Sequence, residues 1–311
     1  MTTAWIFPGQ GAQVVGMAQD LAERFAEARE TLAEADEALG FKLSELMADG
    51  PMETLTLTAN TQPAIVAHSV AVVRVLRAAG CAEPLAVAGH SLGEYSALVA
   101  AGALSLTDAL RAVRARGTFM QEAVPEGLGA MAAVIGLDAS SVREVCERLS
   151  AEGALVCAAN FNDPTQTVIA GHHAAVHAAM PALKEAGARR VLPLPVSAPF
   201  HCPLMAPVQP RLSDVLADVT VSAPAVPVVA NVDAQTHRAA AEITPLLVEQ
   251  VCAPVRWVEC VEALKGEGAT ELLELGPGRA LAGMVRRIDK TLPTTSLGTA
   301  EQITAYLEAN A

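Results

Sequence analysis

Short apolar runs that end at turn residues predict buried strands at two places in the first third of the chain. Thr3–Phe7 is stopped by Pro8-Gly9, and residues 85–88 run into Gly89. Stretches with apolar positions at helical spacing follow these runs, over residues 17–39, 60–79, 94–101 and 104–124. Strands that alternate with helices indicate a mostly parallel sheet covered by helices.

The middle of the chain has a different order of elements. Strands are predicted over residues 129–136, 154–161, 165–171 and 189–195, and helices over residues 139–151 and 174–186. The order β-α-β-β-α-β is that of a ferredoxin-like unit. The first pattern then resumes, with helices predicted over residues 202–217, 242–251, 255–266 and 280–288 and strands over residues 226–232 and 270–275.

These patterns predict an α/β fold in two parts. Residues 1–126 and 196–311 are expected to form a discontinuous large domain with a mostly parallel sheet, and residues 127–195 an inserted small ferredoxin-like subdomain. The 311 residues are enough to bury a core of this size. A composition of 52% hydrophobic and 18% charged residues argues against disorder.

Charge and cysteine use exclude several kinds of partner and site. The net charge of -13 argues against nucleic acid, because binding a phosphate backbone needs a basic face. The six cysteines form no C-x-x-C pair, which fits buried thiols in a reducing cytoplasm better than a zinc or redox motif. The N-terminus lacks the pattern of a signal peptide, and no charge-free run of 18 apolar residues occurs. We therefore expect a cytoplasmic protein without a membrane span.

One glycine-rich segment has a pattern typical of a serine nucleophile. Gly89-His90-Ser91-Leu92-Gly93 matches G-x-S-x-G and lies between a predicted strand and a predicted helix. On such a sharp turn the serine Oγ is exposed near a helix N-terminus, and the glycines allow packing that a Cβ would prevent. The alternative is an ordinary turn serine, but the strand–turn–helix context favours the nucleophile.

A serine nucleophile needs a base, and the chain has seven histidines. His201 follows Pro199-Phe200 where the chain re-enters the large domain, so it could face a site between the domains. His237, in a polar loop, is the next candidate. His90 adjoins the serine and is expected to support the turn or line the pocket. Core or solvated roles are expected for His68, His172, His173 and His177.

Several segments, taken in order, connect the chain with a known family. They are Phe7-Pro8-Gly9-Gln10-Gly11, Asn60-Thr61-Gln62-Pro63-Ala64, Gly89-His90-Ser91-Leu92-Gly93-Glu94-Tyr95, Arg116-Gly117 with Met120-Gln121, residues 195–201, and Glu274-Leu275-Gly276-Pro277-Gly278. With these segments the chain resembles, nearly end to end, the malonyl-CoA:acyl-carrier-protein transacylases of fatty-acid synthesis and the acyltransferase domains of polyketide synthases. The fold expected for the chain is then α/β, with an α/β-hydrolase-like large domain and the ferredoxin-like insert.

The resemblance implies an enzyme that moves a malonyl group from malonyl-CoA to the thiol of an acyl carrier protein through an acyl-serine. It assigns Ser91 as the nucleophile and His201 as the base. The backbone carbonyl of Gln250 would orient this base in place of the acid of a Ser-His-Asp triad. The backbone N–H groups of Gln10 and Leu92 would form the oxyanion hole. The resemblance implies no metal ion and no bound cofactor.

The resemblance also singles out a residue for the malonyl carboxylate. Arg111, Arg114 and Arg116 lie in one predicted helix, and the residues alone do not choose among them. The match to the family's Arg-Gly segment points to Arg116, whose planar guanidinium can bind a carboxylate through two hydrogen bonds. Phe200, just before the base, is expected to border the α-carbon of the substrate. Further substrate-binding candidates are His90, Gln62 and Met120.

Binding of the carrier protein raises a question of charge. Carrier proteins are usually acidic, and this chain is strongly acidic as well, so a docking site needs a locally basic patch. Ordinary solvated arginines are the alternative for each candidate. The candidates are Arg189 and Arg190 at the end of the small subdomain, and Arg286 and Arg287, with Lys290, near the last predicted helix. We expect malonyl-CoA and an acyl carrier protein as partners, and a monomeric enzyme.

Three other functions stay open on sequence grounds. A free-standing acyltransferase of a polyketide assembly line would use the same chemistry. An α/β-hydrolase or thioesterase shares G-x-S-x-G, but its histidine comes late in the chain, whereas more than a hundred residues follow His201. A non-catalytic scaffold would have lost the serine, the histidine or the arginine, and all three are present.

Overall fold

The computed structural model describes residues 2–125, 127–150, 154–196 and 198–310. Its strands are β1 (Thr3–Phe7), β2 (Val87–Gly89), β3 (Gly129–Ile135), β4 (Val156–Asp163), β5 (Gln166–His172), β6 (Arg190–Pro193), β7 (Val228–Val229), β8 (Thr236–His237), β9 (Glu271–Leu275) and β10 (Thr294–Leu297). Its α-helices are α1 (Gln19–Arg24), α2 (Ala26–Leu39), α3 (Leu43–Asp49), α4 (Met52–Thr56), α5 (Thr58–Ala78), α6 (Gly93–Ala100), α7 (Leu106–Glu122), α8 (Ala139–Ser150), α9 (His173–Glu185), α10 (Val208–Ala217), α11 (Ala240–Gln250), α12 (Trp257–Gly266), α13 (Ala280–Ile288) and α14 (Ala300–Ala309).

The larger sheet brings two functional loops together. Its strand order is β10-β9-β1-β2-β7-β8, and every neighbouring pair except β7-β8 is parallel. The register places Phe7, at the end of β1, beside Gly89, at the end of β2. The loops that leave these strands therefore emerge side by side at the carboxyl edge, where parallel α/β sheets bind their ligands. Gln10 lies in the first loop and Ser91 in the second.

The smaller sheet is antiparallel, with strand order β4-β5-β3-β6. Its faces follow the alternation of side chains along a strand. On β3, Ala132 and Val134 lie in an apolar cluster with residues of α8 and α9, whereas Met131 and Ala133 line a cleft that also contains Ser91. This is the ferredoxin-like arrangement, and the predicted α/β fold class is confirmed.

The domain boundaries stay a prediction. All strands of the small sheet fall within the predicted insert of residues 127–195, and all strands of the large sheet fall outside it. Residue 126, at one boundary, lies outside the described residues. So does residue 151, the predicted end of the helix that the structure shows as α8.

Helix α5 forms the centre of the larger core. It is buried without interruption over residues 60–73, as expected for a helix that is surrounded by other elements of the core. Helix α7 packs closely against its start, because Gly117 has no side chain. A Cβ on Gly117 would lie 2.7 Å from the carbonyl oxygen of Thr58. This close approach helps to fix the position of Arg116, the residue before Gly117.

The predicted strand at residues 226–232 and the predicted helix at residues 202–217 are both shorter in the structure. Within residues 226–232 only Val228–Val229 forms a strand, and beyond it the N–H of Asn231 donates to the carboxylate of Glu94 (2.9 Å). The chain from residue 202 first makes a 3₁₀ helix, Pro203–Met205, and then α10, since Pro203 and Pro207 have no N–H to donate. Periodicity also misses α3, α4 and β8, which are too short to show a period, as well as β10 and α14.

Candidate active site

A sharp turn after β2 carries Ser91 into the cleft. Ser91 has a left-handed backbone with φ of 53°, a strained conformation for a residue with a Cβ. A Cβ on Gly89 would lie 1.9 Å from the Gly93 carbonyl carbon, and one on Gly93 would lie 2.3 Å from the Phe7 carbonyl oxygen. Glycine is therefore required on both sides of the turn, and α6 begins at Gly93.

The structure places His201 against this serine. Its Nε2 lies 2.7 Å from Ser91 Oγ, and its Nδ1 lies 2.9 Å from the backbone carbonyl oxygen of Gln250. Because a carbonyl only accepts, Nδ1 carries the proton and Nε2 is left to accept the proton of the serine. Burial, with the charge of Arg116 as the next cause, lowers the pKa of His201 from 6.5 to about 3. The imidazole is therefore neutral at physiological pH.

The other histidine candidates have different partners. His237 lies 3.0 Å from a carboxylate oxygen of Asp233 and is not hydrogen-bonded to the serine. His90 Nε2 lies 2.9 Å from Asn162 Oδ1 on β4, so His90 links the turn to the small sheet while it lines the cleft. Of the two candidate bases, the geometry favours His201.

Arg116 reaches the same serine from α7. Its buried guanidinium donates from Nη1 to Gln62 Oε1 (2.9 Å), and from Nη2 to Gln250 Oε1 (2.9 Å) and Ser91 Oγ (3.2 Å). Its Nε is also buried and has no acceptor among the described residues. Burial lowers the pKa of Arg116, but a guanidinium stays protonated in proteins. A buried cation that is hydrogen-bonded only to neutral groups is suited to receive a carboxylate.

Two backbone N–H groups in the loops that flank the serine have no acceptor among the residues that the structure describes. The loop after β1 approaches the turn closely: His90 N–H donates to the Phe7 carbonyl (2.9 Å), and a Cβ on Gly9 would lie 2.7 Å from the His90 carbonyl oxygen. Within the described part of the chain, the N–H groups of Gln10 and Leu92 have no hydrogen-bond acceptor. Such an arrangement is what an oxyanion hole requires.

The cleft between the two sheets has a volume of about 370 Å³. Ser91, His201 and Arg116 line it, and the small sheet contributes both apolar side chains, such as Met131 and Val168, and polar ones, such as Asn160. All the side chains that were predicted to bind substrate line it, namely Phe200, His90, Gln62, Met120 and Arg116. The cleft is therefore a mostly apolar pocket with a few convergent polar groups, as in many small-molecule sites.

The predicted docking arginines are exposed and come from two elements near one end of the small sheet. Arg190 on β6 and Gln166 on β5 both pair with Ile135 of β3, so they are two strands apart, or roughly 10 Å. Arg287 of α13 bonds to Asp163 and Gln166 at this end of the sheet. Since Gln166 also lines the cleft, the pairs Arg189–Arg190 and Arg286–Arg287 lie near its rim.

Two polar residues behind the nucleophile could not be assigned from sequence. Asn231 Oδ1 accepts the Ser91 N–H, and Asn231 Nδ2 donates to the Gly89 carbonyl, both at 2.7 Å. Glu94 accepts from the N–H of Asn231, and burial raises the pKa of Glu94 from 4.5 to about 7. Glu94 lies in one of the segments that carry the family resemblance, but neither residue had an assigned role; the remaining signal is a polar residue inside an apolar element, where burial demands hydrogen-bond partners.

The described residues contain neither a candidate metal cluster nor a helix suited to cross a membrane. They place no three His, Cys, Asp or Glu side chains together in a way that could hold a metal ion. None of their helices is both long enough and apolar enough for a bilayer. The six cysteines are all free thiols.

Known proteins are similar to this chain over most of its length. The acyl transferase domain family matches residues 4–293. The malonyl CoA-acyl carrier protein transacylase of Escherichia coli (strain K12) is 50% identical over 305 residues, which are 98% of this chain and 98% of that protein. The protein of the same description from Bacillus subtilis (strain 168) is 46% identical, over 96% of this chain and 94% of its own.

Solved structures share the fold. An acyl carrier protein S-malonyltransferase from Vibrio cholerae superposes with a TM-score of 0.96 at 46% identity, covering 98% of this chain and 100% of that one. A malonyl-transacylase in complex with its holo type II polyketide-synthase acyl carrier protein has a TM-score of 0.97 at 47% identity, with both chains covered completely. In neither case is the similarity confined to one of the two sheets.

Proposed function

The chain belongs to the malonyl-CoA:acyl-carrier-protein transacylase family, and from this premise we propose how it works. It moves a malonyl group from malonyl-CoA to the phosphopantetheine thiol of an acyl carrier protein, in two steps through a malonyl ester of Ser91. The observation that supports this mechanism is that the side chains of His201 and Arg116 both contact the hydroxyl oxygen of Ser91. Ser91 Oγ lies 2.7 Å from His201 Nε2 and 3.2 Å from Arg116 Nη2.

The two half-reactions use the same groups. Ser91 Oγ attacks the thioester carbonyl while its proton passes to His201 Nε2, and the N–H groups of Gln10 and Leu92 stabilise the oxyanion. Each such donor typically lowers the barrier by about 3 kcal/mol. When the C–S bond breaks, the sulfur of CoA takes the proton from His201. The carrier thiol then gives its proton to His201 and attacks the ester, and Ser91 Oγ leaves with that proton.

The hydrogen-bond partner of His201 favours transfer over hydrolysis. Nδ1 donates to the backbone carbonyl of Gln250 and not to a carboxylate. A neutral carbonyl stabilises an imidazolium less than the aspartate of a Ser-His-Asp triad does. We infer that the base activates water poorly, so that malonyl-Ser91 persists until a thiol arrives.

A two-step mass measurement tests the function. After mixing with malonyl-CoA alone, the intact protein should gain the mass of one malonyl group, mapped by peptide mass spectrometry to Ser91. A holo carrier protein should then take up the group and restore the original mass. Release of malonate without a carrier would identify a hydrolase, and absence of the adduct would reject the acyl-serine. Carriers of fatty-acid and polyketide type, compared in the second step, show which is preferred.

We also propose that the protein acts in the cytoplasm. The support is that its six cysteines are free thiols, three of them buried, which is typical of a reducing compartment. Cell fractionation with an antibody to the chain tests this location.

We propose that the carrier docks at the rim of the cleft, near the two arginine pairs. An acidic partner needs a positive patch on a chain whose net charge is -13. The side chain of Arg287 is half exposed, but its guanidinium is bonded to Asp163 and Gln166. Arg190 and Arg286 are therefore the better residues for a test of docking.

Reversing charge at Arg190 and Arg286 should weaken carrier binding only. For Arg190→Glu with Arg286→Glu we expect the KM for the carrier to rise about tenfold or more and to depend less on salt, with unchanged acylation by malonyl-CoA. Steady-state kinetics at several salt concentrations measure the carrier KM and its salt dependence, and the rate of acylation by malonyl-CoA is measured without the carrier. Arg29→Glu, an exposed arginine on α2 that does not line the cleft, is the matched control. An unchanged carrier KM would place docking elsewhere.

Phe200 should select against an α-methyl group. Its ring is 8% exposed and lines the cleft beside His201. Malonyl-CoA should therefore be preferred over methylmalonyl-CoA, and Phe200→Ser should narrow the difference by roughly 10–200-fold, the effect of one methyl in a pocket. The measurement is the ratio of kcat/KM for the two thioesters in both proteins. If the ratio does not change, Phe200 only packs between the sheets.

Acylation should stay fast in mildly acidic solution. A base works in its neutral form, and the pKa of His201 is lowered to about 3, so lowering the pH from 8 to 5 leaves the imidazole neutral. With a base of the ordinary pKa of 6.5, kcat/KM would fall about 30-fold by pH 5. We expect kcat/KM for malonyl-CoA to be nearly flat over this range while circular dichroism shows the protein folded. A decline with a midpoint near 6.5 would contradict the assignment.

A further inference from the structure

A carboxylate that takes no part in the mechanism lies directly behind the nucleophile. Glu94, near the start of α6, is only 2% exposed. One of its oxygens, Oε2, accepts two hydrogen bonds of 2.9 Å, from Asn231 N–H and from Gln250 Nε2. Burial of a carboxylate is costly unless hydrogen bonds compensate for lost water. Of the two residues that it holds, Gln250 contacts the side chains of Arg116 and His201, and Asn231 bonds to the backbone N–H of Ser91.

The side-chain amide of Gln250 can make its contacts in only one orientation. Nε2 donates to Glu94 Oε2 and to the Ser91 carbonyl (3.0 Å), while Oε1 accepts from Arg116 Nη2 (2.9 Å). A flipped amide would direct its NH₂ group at the guanidinium, which only donates, and its oxygen at two acceptors. Glu94 therefore helps to keep the Gln250 oxygen directed at Arg116.

The second hydrogen bond of Glu94 supports the turn that carries the nucleophile. Glu94 accepts the backbone N–H of Asn231, and the side chain of Asn231 bonds to the Ser91 N–H and the Gly89 carbonyl. This contact would affect all acyl donors equally, because it acts on Ser91 alone. The contact through Gln250 differs, since it ends on the arginine that would bind only a donor with a free carboxylate.

We propose that Glu94 is a positioning residue for acid selectivity. By holding the amide of Gln250, it keeps the Arg116 guanidinium beside Ser91 Oγ, in the place where the malonyl carboxylate binds. This inference rests on the proposed function and deepens the account of the same site. It predicts that the hydrogen-bond acceptor at position 94, and not its charge, decides the preference for malonyl-CoA over acetyl-CoA.

Two substitutions separate the acceptor from the charge. Glu94→Gln keeps a carbonyl oxygen that can accept from Asn231 N–H and Gln250 Nε2, whereas Glu94→Met keeps the length but accepts nothing. We expect the ratio of kcat/KM for Ser91 acylation by malonyl-CoA over acetyl-CoA to fall about 10- to 100-fold in Glu94→Met and to stay within about threefold of wild type in Glu94→Gln. This ratio does not depend on the fraction of folded protein, so partial misfolding does not obscure it.

A double-mutant cycle tests whether the effect passes through Gln250. Gln250→Met removes the amide but keeps the backbone carbonyl that holds His201, and it should lower the same ratio. Combined with Glu94→Met, it should lower the ratio no further than the worse single variant. Asp36→Leu removes another buried carboxylate, on α2, that is hydrogen-bonded to Ser44. It should reduce stability and leave the ratio unchanged.

The outcomes distinguish this inference from the proposed function. If wild-type protein forms no malonyl adduct, the proposed function fails. If it does, and Glu94→Met lowers kcat/KM equally for malonyl-CoA and acetyl-CoA, Glu94 only supports the fold or the turn. The inference is then overturned. An equal loss of the ratio in Glu94→Gln and Glu94→Met would also overturn it, because the charge would then be the decisive property.

Discussion

Substitution of Ser91 or His201 by alanine is expected to lower the kcat for malonyl transfer by at least about 1000-fold in each case. Ser91 Oγ is the atom that would carry the malonyl group, and His201 Nε2, 2.7 Å away, is the only base hydrogen-bonded to it within the described residues. Without the serine no ester forms. Without the histidine the hydroxyl keeps its proton and is a poor nucleophile.

The double variant should be no slower than the single variants. The two residues act as one unit, and removal of either abolishes the same step. Transfer to the carrier, followed by the mass of the carrier, gives the rates, and the mass of the enzyme shows the adduct. Ser96→Ala is a matched control, since Ser96 lies on α6, the helix that follows the Ser91 turn, and its buried hydroxyl has no partner among the described residues. A malonyl adduct on Ser91→Ala, or additive effects in the double variant, would contradict the mechanism.

The turn at Ser91 can be predicted from sequence because its geometry is local. The turn at Ser91 needs glycine at two nearby positions, and each glycine faces backbone at less than 2.5 Å from a virtual Cβ. This requirement concerns only five consecutive residues, and they lie between a strand and a helix that have clear apolar patterns. The same reasoning applies to the small sheet, whose element order alone indicates its topology.

The hydrogen bonds behind the nucleophile could not be predicted in the same way. Glu94, Asn231 and Gln250 come from α6, the loop after β7 and the end of α11, and no local pattern relates them. Asn231 even reads as part of a strand, because it follows an apolar run. Its N–H donates to the carboxylate of Glu94 on α6 and not to a neighbouring strand. Contacts of this kind exist only after the tertiary fold has formed.

The arginines of α7 show a second limit of the sequence. Residues two positions apart on an α-helix differ by about 200° in direction, so Arg114 and Arg116 point to opposite sides. Arg114 bonds to Asn60 and lies over the ring of Phe41, and Arg111 donates to the carbonyl of Ala38. Only knowledge of which side faces the cleft distinguishes them. Helical periodicity does not show which of three charged residues is on that side. Family resemblance was therefore needed to select Arg116.

Arg116→Ala should abolish the preference for an acidic acyl group. Hydrogen bonds to charged groups contribute about 1.5–3 kcal/mol each, so loss of two to a carboxylate corresponds to roughly 10²- to 10⁴-fold in kcat/KM for malonyl-CoA. Acetyl-CoA has no carboxylate, so it loses no such hydrogen bonds in Arg116→Ala. In this variant its binding also no longer leaves a buried cation unpaired. Its relative kcat/KM should therefore rise. The measurement is the rate of Ser91 acylation by both thioesters over a range of concentrations.

Two further variants show whether the geometry of Arg116 matters beyond its charge. Arg116→Lys keeps a cation but cannot bind Gln62, Gln250 and a carboxylate at once through a planar fork, so it should recover only part of the malonyl rate. Arg114→Ala removes an arginine from the same helix whose partners lie outside the cleft, and it should leave the malonyl-to-acetyl ratio unchanged. Full activity of Arg116→Lys would mean that charge alone selects the substrate. An unchanged ratio in Arg116→Ala would remove Arg116 from the binding site, and the neutral partners around its buried guanidinium would then need another explanation.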